Sequence, residues 1–306
     1  NKLSLSGGRT SFKDRKLFSG DESVGTGKFA GIIEYLRLDY EYPNIKFRTF
    51  MRKEDIDVKW PRIGEKQPWL PTTYDAELQH TLDIGAKNSI VWGGTYRYNT
   101  INKNSYIPGN HAQNLWALFF EDEARIIDKL TLTFGGRYDR HPLVKEHFSP
   151  RGSLSYSPSK NHTIRLSATN AYRNPAFIDS YLYLEGQSTH QPPLPAVPYN
   201  YVSQGNKDIK SEGIISYEAG YRSTWLRKIV ANLNLFYNEY TDFFTRTQAV
   251  TYYAANELFP GSPGGVIPKK VVSTRQNGGD AWGIGGEVDF DILINGWLSG
   301  IANYSY

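Results

Sequence analysis

Apolar and polar residues alternate with a period of two in segment after segment of this chain. That period belongs to an extended strand with one greasy face and one wet face. From Leu36 to Tyr42 the side chains of Leu36, Leu38, Tyr40 and Tyr42 alternate with Arg37, Asp39 and Glu41. Further on, Ala76, Leu78, Leu82 and Ile84 oppose Asp75, Glu77, Gln79 and Asp83. The same rhythm sets Leu130, Leu132, Phe134 and Tyr138 against Thr131, Thr133, Arg137 and Asp139. It returns at Leu154 and Tyr156, and again at Ile164, Leu166 and Ala168. A run of roughly 18 apolar residues is absent, which excludes helical membrane spans. A barrel stays open to the chain, because only every second residue of its strands must meet lipid.

The connections form a second pattern. Tight turns at Pro43-Asn44, Ala86-Lys87, Ile127-Asp128, Ser157 to Lys160, Leu226-Arg227 and Asn295-Gly296 alternate with long polar segments near 9–27, 53–72, 99–111, 140–146, 173–211 and 242–279. Short turns on one rim and long loops on the other define an outer-membrane barrel, short turns periplasmic. About thirteen strands are expected. An odd number of antiparallel strands does not close into the usual even-numbered barrel, and an open edge in lipid leaves backbone groups unpaired. The expectation is therefore a partial barrel with strands missing after Tyr306. At the start, Asn1-Lys2-Leu3-Ser4-Leu5 lacks a basic flank before an apolar core, so no signal peptide is read there.

Composition agrees with strands at a membrane. The chain carries 22 Tyr, 15 Phe and 7 Trp but one Met and no Cys. Aromatic residues near strand ends (Tyr40, Tyr42, Tyr98, Tyr138, Tyr156, Trp225, Trp297 and Tyr306) are candidates for the interfacial girdle. The net charge is only +4, with both signs interspersed, so nucleic acid is not expected as a partner. Lacking Cys, the chain has neither disulfides nor thiolate metal sites.

Enzyme signatures fail one by one. His141, Glu146 and His147 share a loop rather than the helix of a zinc motif. Gly283-Ile284-Gly285-Gly286 sits in a strand pattern, where small residues ease curvature. Glu121, Asp122 and Glu123 resemble an acid cluster, yet adjacent strand residues point to opposite faces. No Ser, His and acid set stands out, and neither a catalytic residue, a metal nor a cofactor is expected.

Several segments together resemble the barrel of TonB-dependent outer-membrane receptors. They are Leu130 to Asp139 after Phe120-Glu121-Asp122-Glu123; Phe148-Ser149-Pro150-Arg151; Leu154-Ser155-Tyr156-Ser157-Pro158; Ala171-Tyr172-Arg173-Asn174-Pro175; Gly205-Asn206-Lys207-Asp208-Ile209-Lys210-Ser211-Glu212; and Tyr217-Glu218-Ala219-Gly220. Lys207 and Ser211 stand where that family usually has prolines, and residues 1–115 fit by pattern only.

The resemblance implies an all-β, antiparallel, up-and-down transmembrane barrel in the outer membrane of a Gram-negative bacterium, residues 1–306 covering part of roughly 22 strands. It implies an N-terminal plug and last strands outside this chain. It also implies uptake of a scarce nutrient of the siderophore-iron, cobalamin or oligosaccharide class, driven by the TonB complex through the plug region. Extracellular loops would capture the ligand. Within them the expected contacts are Arg173, Tyr181, Tyr183, His190, Tyr199 and Tyr201, in a proline-restrained loop without helix or strand, and Arg246 and Tyr252 in the next. Arg37, Asp39, Arg165, Glu218, Arg222 and Glu287 are expected to face the lumen, since a Lys or Arg facing lipid at mid-depth costs roughly 2–4 kcal/mol. A passive porin, an outer-membrane hydrolase and a soluble propeller or sandwich are the rival readings.

Overall fold

The period-two segments fold as the strands they describe. The computed structural model describes residues 1–18, 26–59, 66–102, 104, 106–189, 197–225, 228–254 and 267–306. In chain order the first ten strands are β1 (Lys2–Phe18), β2 (Thr26–Tyr42), β3 (Ile45–Lys59), β4 (Lys66–Trp69), β5 (Pro71–Ile84), β6 (Asn88–Ile101), β7 (His111–Ile127), β8 (Leu130–Arg140), β9 (His147–Ser159) and β10 (His162–Arg173). A short helix, α1 (Phe177–Tyr181), precedes β11 (Tyr183–Thr189) and β12 (Pro198–Gln204). The chain ends with β13 (Glu212–Trp225), β14 (Ile229–Thr241), β15 (Phe244–Tyr252), β16 (Pro268–Asn277), β17 (Ala281–Asn295) and β18 (Leu298–Ser305).

One antiparallel sheet runs β1-β2-β3-β5-β6-β7-β8-β9-β10-β13-β14-β17-β18, with β4 attached to β3. Its path thus has the thirteen strands expected from the alternation. Each neighbour follows the last in sequence, so the wall is an up-and-down meander joined by short turns at one rim. Those turns fall at 43–44, 85–87, 128–129, 160–161 and 296–297, within a residue or two of expectation. The turn at 226–227 lies outside the described residues.

The register fixes which residues share a face. Tyr40, Phe47, Leu78, Gly94, Leu118, Tyr138 and Phe148 are successive partners in one row across β2 to β9. One residue along each strand, the opposite face carries the row Asp39, Arg48, Glu77, Thr95, Ala117, Asp139 and His147. Leu78, Leu118 and Phe148 are 54%, 59% and 52% exposed, with no second layer of protein over them among the described residues. A row of that kind is stable only against acyl chains. The polar row is knitted by ion pairs: Arg37 and Arg48 lie 2.6 and 3.1 Å from Asp39, Arg97 lies 2.8 Å from Asp75, and Arg137 lies 2.9 Å from Asp139.

Aromatic side chains gather at the ends of this apolar band. Tyr74 stacks on Tyr98 with ring centroids 6.4 Å apart, Trp116 meets Tyr138 at 5.7 Å, and Tyr237 meets Trp282 at 6.4 Å. The side chain of Trp225 is outside the described residues.

Two expectations are corrected. The segments 9–27 and 53–72 are not loops throughout: β1 continues to Phe18, β2 starts at Thr26 and β3 reaches Lys59, because ladder pairing persists beyond the apolar band. Residues 173–211 are not without helix or strand either. They hold α1, β11 and β12, which join β16 and β15 in a separate sheet of order β11-β12-β16-β15. In it β12 and β16 are parallel, with Tyr201 opposite Val271 and Ser203 opposite Ser273. The buried core of the chain lies here, above the wall, where Ile101, Tyr106, Ile107, Phe177, Leu184 and Tyr201 pack together with Trp69, Tyr199 and Val271 around them.

Candidate functional site

The long-loop rim brings three arginines to one place. Arg173 is the last residue of β10 and pairs in register with Glu212, the first of β13. Its Nε lies 2.5 Å from the Glu212 carboxylate, and its guanidinium sits 4.7 Å above the Phe244 ring. The other oxygen of Glu212 accepts the Phe244 N–H. One carboxylate thereby joins the ends of β10, β13 and β15.

Arg246 and Arg275 face each other across β15 and β16. Arg275 is largely buried, and its Nε is 3.8 Å from the Asp179 carboxylate on α1. Burial, then repulsion from Arg246 and Arg173, lowers its proton affinity, while Asp179 and Tyr201 oppose that shift. The Arg275 Nε has no hydrogen-bond partner among the described residues. A buried guanidinium donor without an acceptor is costly. The carboxylates of Asp179 and Glu212 stand against Arg275 and Arg173, and Arg forks suit planar or multiply charged oxyanions.

Loop backbones are held around it by side chains. Asn277 accepts the Lys210 N–H at 2.7 Å, donates to the Lys210 carbonyl at 3.0 Å, and donates to the Asp242 carbonyl at 2.8 Å. Gly205 opens the motif that ends at Glu212, and a Cβ there would stand 2.7 Å from the backbone of Ser180 and Tyr181. Only Gly lets that turn pass so close to α1. On the neighbouring strands, His147 bonds Ser211 Oγ at 2.8 Å and stacks on Tyr172 at 4.2 Å, while Ser211 donates to Asn174 at 2.7 Å. His141, 4% exposed, accepts the Leu143 N–H at 3.2 Å, and burial followed by repulsion from His147 pushes its pKa down to about 4.

The residues expected at the ligand scatter in part. Arg173, Arg246 and Tyr201 gather near Arg275, although Tyr201 is only 6% exposed and belongs to the core. Tyr199 shares its strand face. Tyr181 stacks on His111 at 3.7 Å beneath Lys207, at the edge of that core. Tyr183 donates to Glu185 at 3.0 Å on the other face of β11, and Tyr252 ends β15 away from Arg246. His190 lies outside the described residues. Arg275, Asp179 and Glu212 escape the sequence reading. Glu212 sits in a recognised motif, and the Val271-to-Arg275 run carries a β-branched signal that could have marked a strand.

Along the wall, Arg37 and Asp39 pair on the polar face, and Arg165 lines a concavity of about 520 Å3 with Glu121, Glu123 and Arg151. Glu218 accepts from Ser167 at 3.4 Å, while Arg222 and Glu287 take up the same face through their partners Asn232 and Asn234. Among the described residues no group of His, Asp and Glu could hold a metal ion.

Fold and rim together define the wall of an outer-membrane receptor. The family model for the TonB dependent receptor-like β-barrel matches residues 4–306, and the chain belongs to that family. It is 29% identical over 133 residues to the ferrienterobactin receptor of Escherichia coli (strain K12), a match covering 41% of this chain and 17% of that protein. It is 28% identical over 190 residues to the ferric enterobactin receptor of Pseudomonas aeruginosa, covering 55% and 25% respectively. The solved siderophore receptor PirA from Pseudomonas aeruginosa superposes with a TM-score of 0.71 at 16% identity, covering 92% of this chain and 50% of that one. The chain thus spans about half the length of that solved receptor and matches a quarter or less of those curated relatives. Its place is the Gram-negative outer membrane.

Proposed function

We propose that this chain is the barrel wall and ligand mouth of a receptor for a multiply anionic iron(III) chelate of the siderophore class. The arginine cluster carries the reading. Arg275 keeps an unmet donor beside Arg173 and Arg246, and an oxyanion ligand would satisfy it at the outer mouth. Named relatives that take ferric enterobactin favour the same ligand class. In this reading the wall and loops perform no covalent chemistry. They desolvate and orient the chelate, and passage depends on a plug region moved by TonB. Arg275, Arg173, Arg246 and Tyr199 would contact ligand, with Arg37, Asp39, Arg165, Glu218, Arg222 and Glu287 lining the wet interior.

The test is equilibrium binding by the full-length receptor. The ferric tris-catecholate trianion, ferrichrome (uncharged) and cyanocobalamin would each be titrated against wild type and Arg275→Gln. Preference for the trianion, lost in the variant, is expected. Equal affinity of wild type for an uncharged chelate would overturn the anionic reading.

A further inference from the structure

Below the row of Leu78, Leu118 and Phe148, toward the short turns, the outward face of β5 to β9 carries one carboxylate, Asp122. It keeps step with Leu118 and Phe120 on β7 and stands between Ile90 on β6 and Phe134 on β8. Trp92 and Phe120 lie in the row above it, Ala124 and Leu132 in the row below. Asn88 donates to its two oxygens at 3.4 and 3.3 Å, and no cation pairs with it among the described residues. Glu121, one residue back on the inner face, has Arg151. An ionisable side chain held on the lipid side is costly and marks a function.

Height places this carboxylate at a boundary. Asn88 opens β6 directly after the turn at 85–87. Ile90, the partner of Asp122, is three positions beyond Lys87, which is roughly 10 Å of strand and, at a tilt of about 40°, roughly 8 Å of height. The bond from Asn88 draws the carboxylate toward the turn. It therefore stands at the periplasmic edge of the acyl chains, where the head groups of the inner leaflet begin.

The same turn brings a cation. The Lys87 carbonyl accepts the Arg125 N–H at 2.7 Å, which docks the turn on β7 three positions from Asp122. Lys87 is exposed and forms no ion pair among the described residues. A carboxylate without a cation and an ammonium without an anion thus sit one above the other at one membrane interface. A zwitterionic head group lying along that interface complements both at once, and lysines at this level attract lipid phosphates.

We propose that Asp122, Asn88 and Lys87 hold the head group of an inner-leaflet phosphatidylethanolamine, its ammonium on the Asp122 carboxylate and its phosphate on Lys87. The proposal rests on the membrane placement and not on the identity of the transported ligand. An anionic lipid suits Lys87 alone and is repelled by Asp122. A basic protein segment suits Asp122 alone and is repelled by Lys87.

The test uses the full-length receptor in nanodiscs and native mass spectrometry. The probes are phosphatidylethanolamine and phosphatidylglycerol with identical acyl chains, which share the phosphate and differ in the ammonium. Wild type should retain phosphatidylethanolamine about tenfold better, as for one charge-assisted hydrogen bond. Asp122→Asn should abolish that preference, and Asp122→Glu, which keeps the charge, should preserve it and exclude a folding defect. Lys87→Ala should weaken retention of both lipids. Equal retention of the two lipids by wild type, or an undiminished preference in Asp122→Asn, overturns the proposal. A preference of wild type for phosphatidylglycerol would assign the turn to anionic lipid through Lys87 alone and overturn it too.

Discussion

Arg246 and Arg275 stand directly opposite one another on β15 and β16, two guanidiniums on one face of a sheet above the barrel mouth. Opposed like charges weaken the ladder that carries them. Asp179 stands 3.8 Å from Arg275 and Glu212 holds the neighbouring Arg173, and the anionic ligand proposed above would sit at this opposed pair.

Replacing Arg275 should therefore separate stability from binding. Arg275→Gln removes the repulsion with Arg246 and the weak contact with Asp179 together, so the unfolding midpoint is expected to move little. Affinity for a ferric tris-catecholate should fall by one to two orders of magnitude, as for loss of a charge-assisted hydrogen bond of about 1.5–3 kcal/mol. Isothermal titration beside a urea unfolding curve reads both.

Glu212 holds two backbone elements through one side chain. Glu212→Gln keeps an acceptor for the Phe244 N–H but drops the charge that holds Arg173. The expected cost is about 1–2 kcal/mol, felt locally at the base of β15. Hydrogen exchange of residues 241–249 should quicken while the wall strands β5 to β9 stay protected. Uniform quickening would mean a global defect instead.

His141 makes the rim sensitive to acid. The fold keeps its imidazole neutral with a pKa of about 4, whereas the unfolded chain takes up a proton near the ordinary value of about 6.5. Unfolded chain binds more protons between those values, so this contribution is complete above pH of about 6.5 and is lost as pH falls toward about 4. At most about 3 kcal/mol is at stake. Exchange in segment 141–147 measured at pH 7.5 and 4.5 should accelerate in wild type at the lower value and change much less in His141→Gln.

At Gly205 even one methyl group should be felt. Gly205→Ala forces a Cβ against the backbone of α1, and a loss of about 1–3 kcal/mol in the rim sheet is expected. Limited proteolysis should then cut within 176–206 while the wall stays intact. An unchanged cleavage pattern counts against the close approach.

Leu118 tests the two faces of the wall. Leu118→Arg places a charge among acyl chains and should cost roughly 2–4 kcal/mol. Thr95→Arg, on the polar row, should cost far less. Folding into lipid vesicles, followed by urea titration, compares the two.

The wall was legible because its information is local. Leu78 and Leu118 announce their faces through neighbours two residues away, and tight turns such as Pro43-Asn44 mark where each strand reverses. The rim sheet was not, because its defining contact is the parallel pairing of Tyr201 with Val271, which no short window contains. Prolines between Pro192 and Pro198 disguised the strand after them as loop. Arg275 was missed for the same reason: its meaning lies in Arg246, Asp179 and Arg173, which reach it from three separate elements. Arg173 was found because the resemblance pointed to it, and its partner Glu212, in a motif equally visible, needed the register to acquire a role.

The parallel ladder between β12 and β16 ties segments from two different excursions of the chain into one slab. Grafting either excursion alone onto a sister receptor would strip a strand of its neighbour, so new ligand preferences at this mouth should be inherited, and engineered, by transplanting the two together.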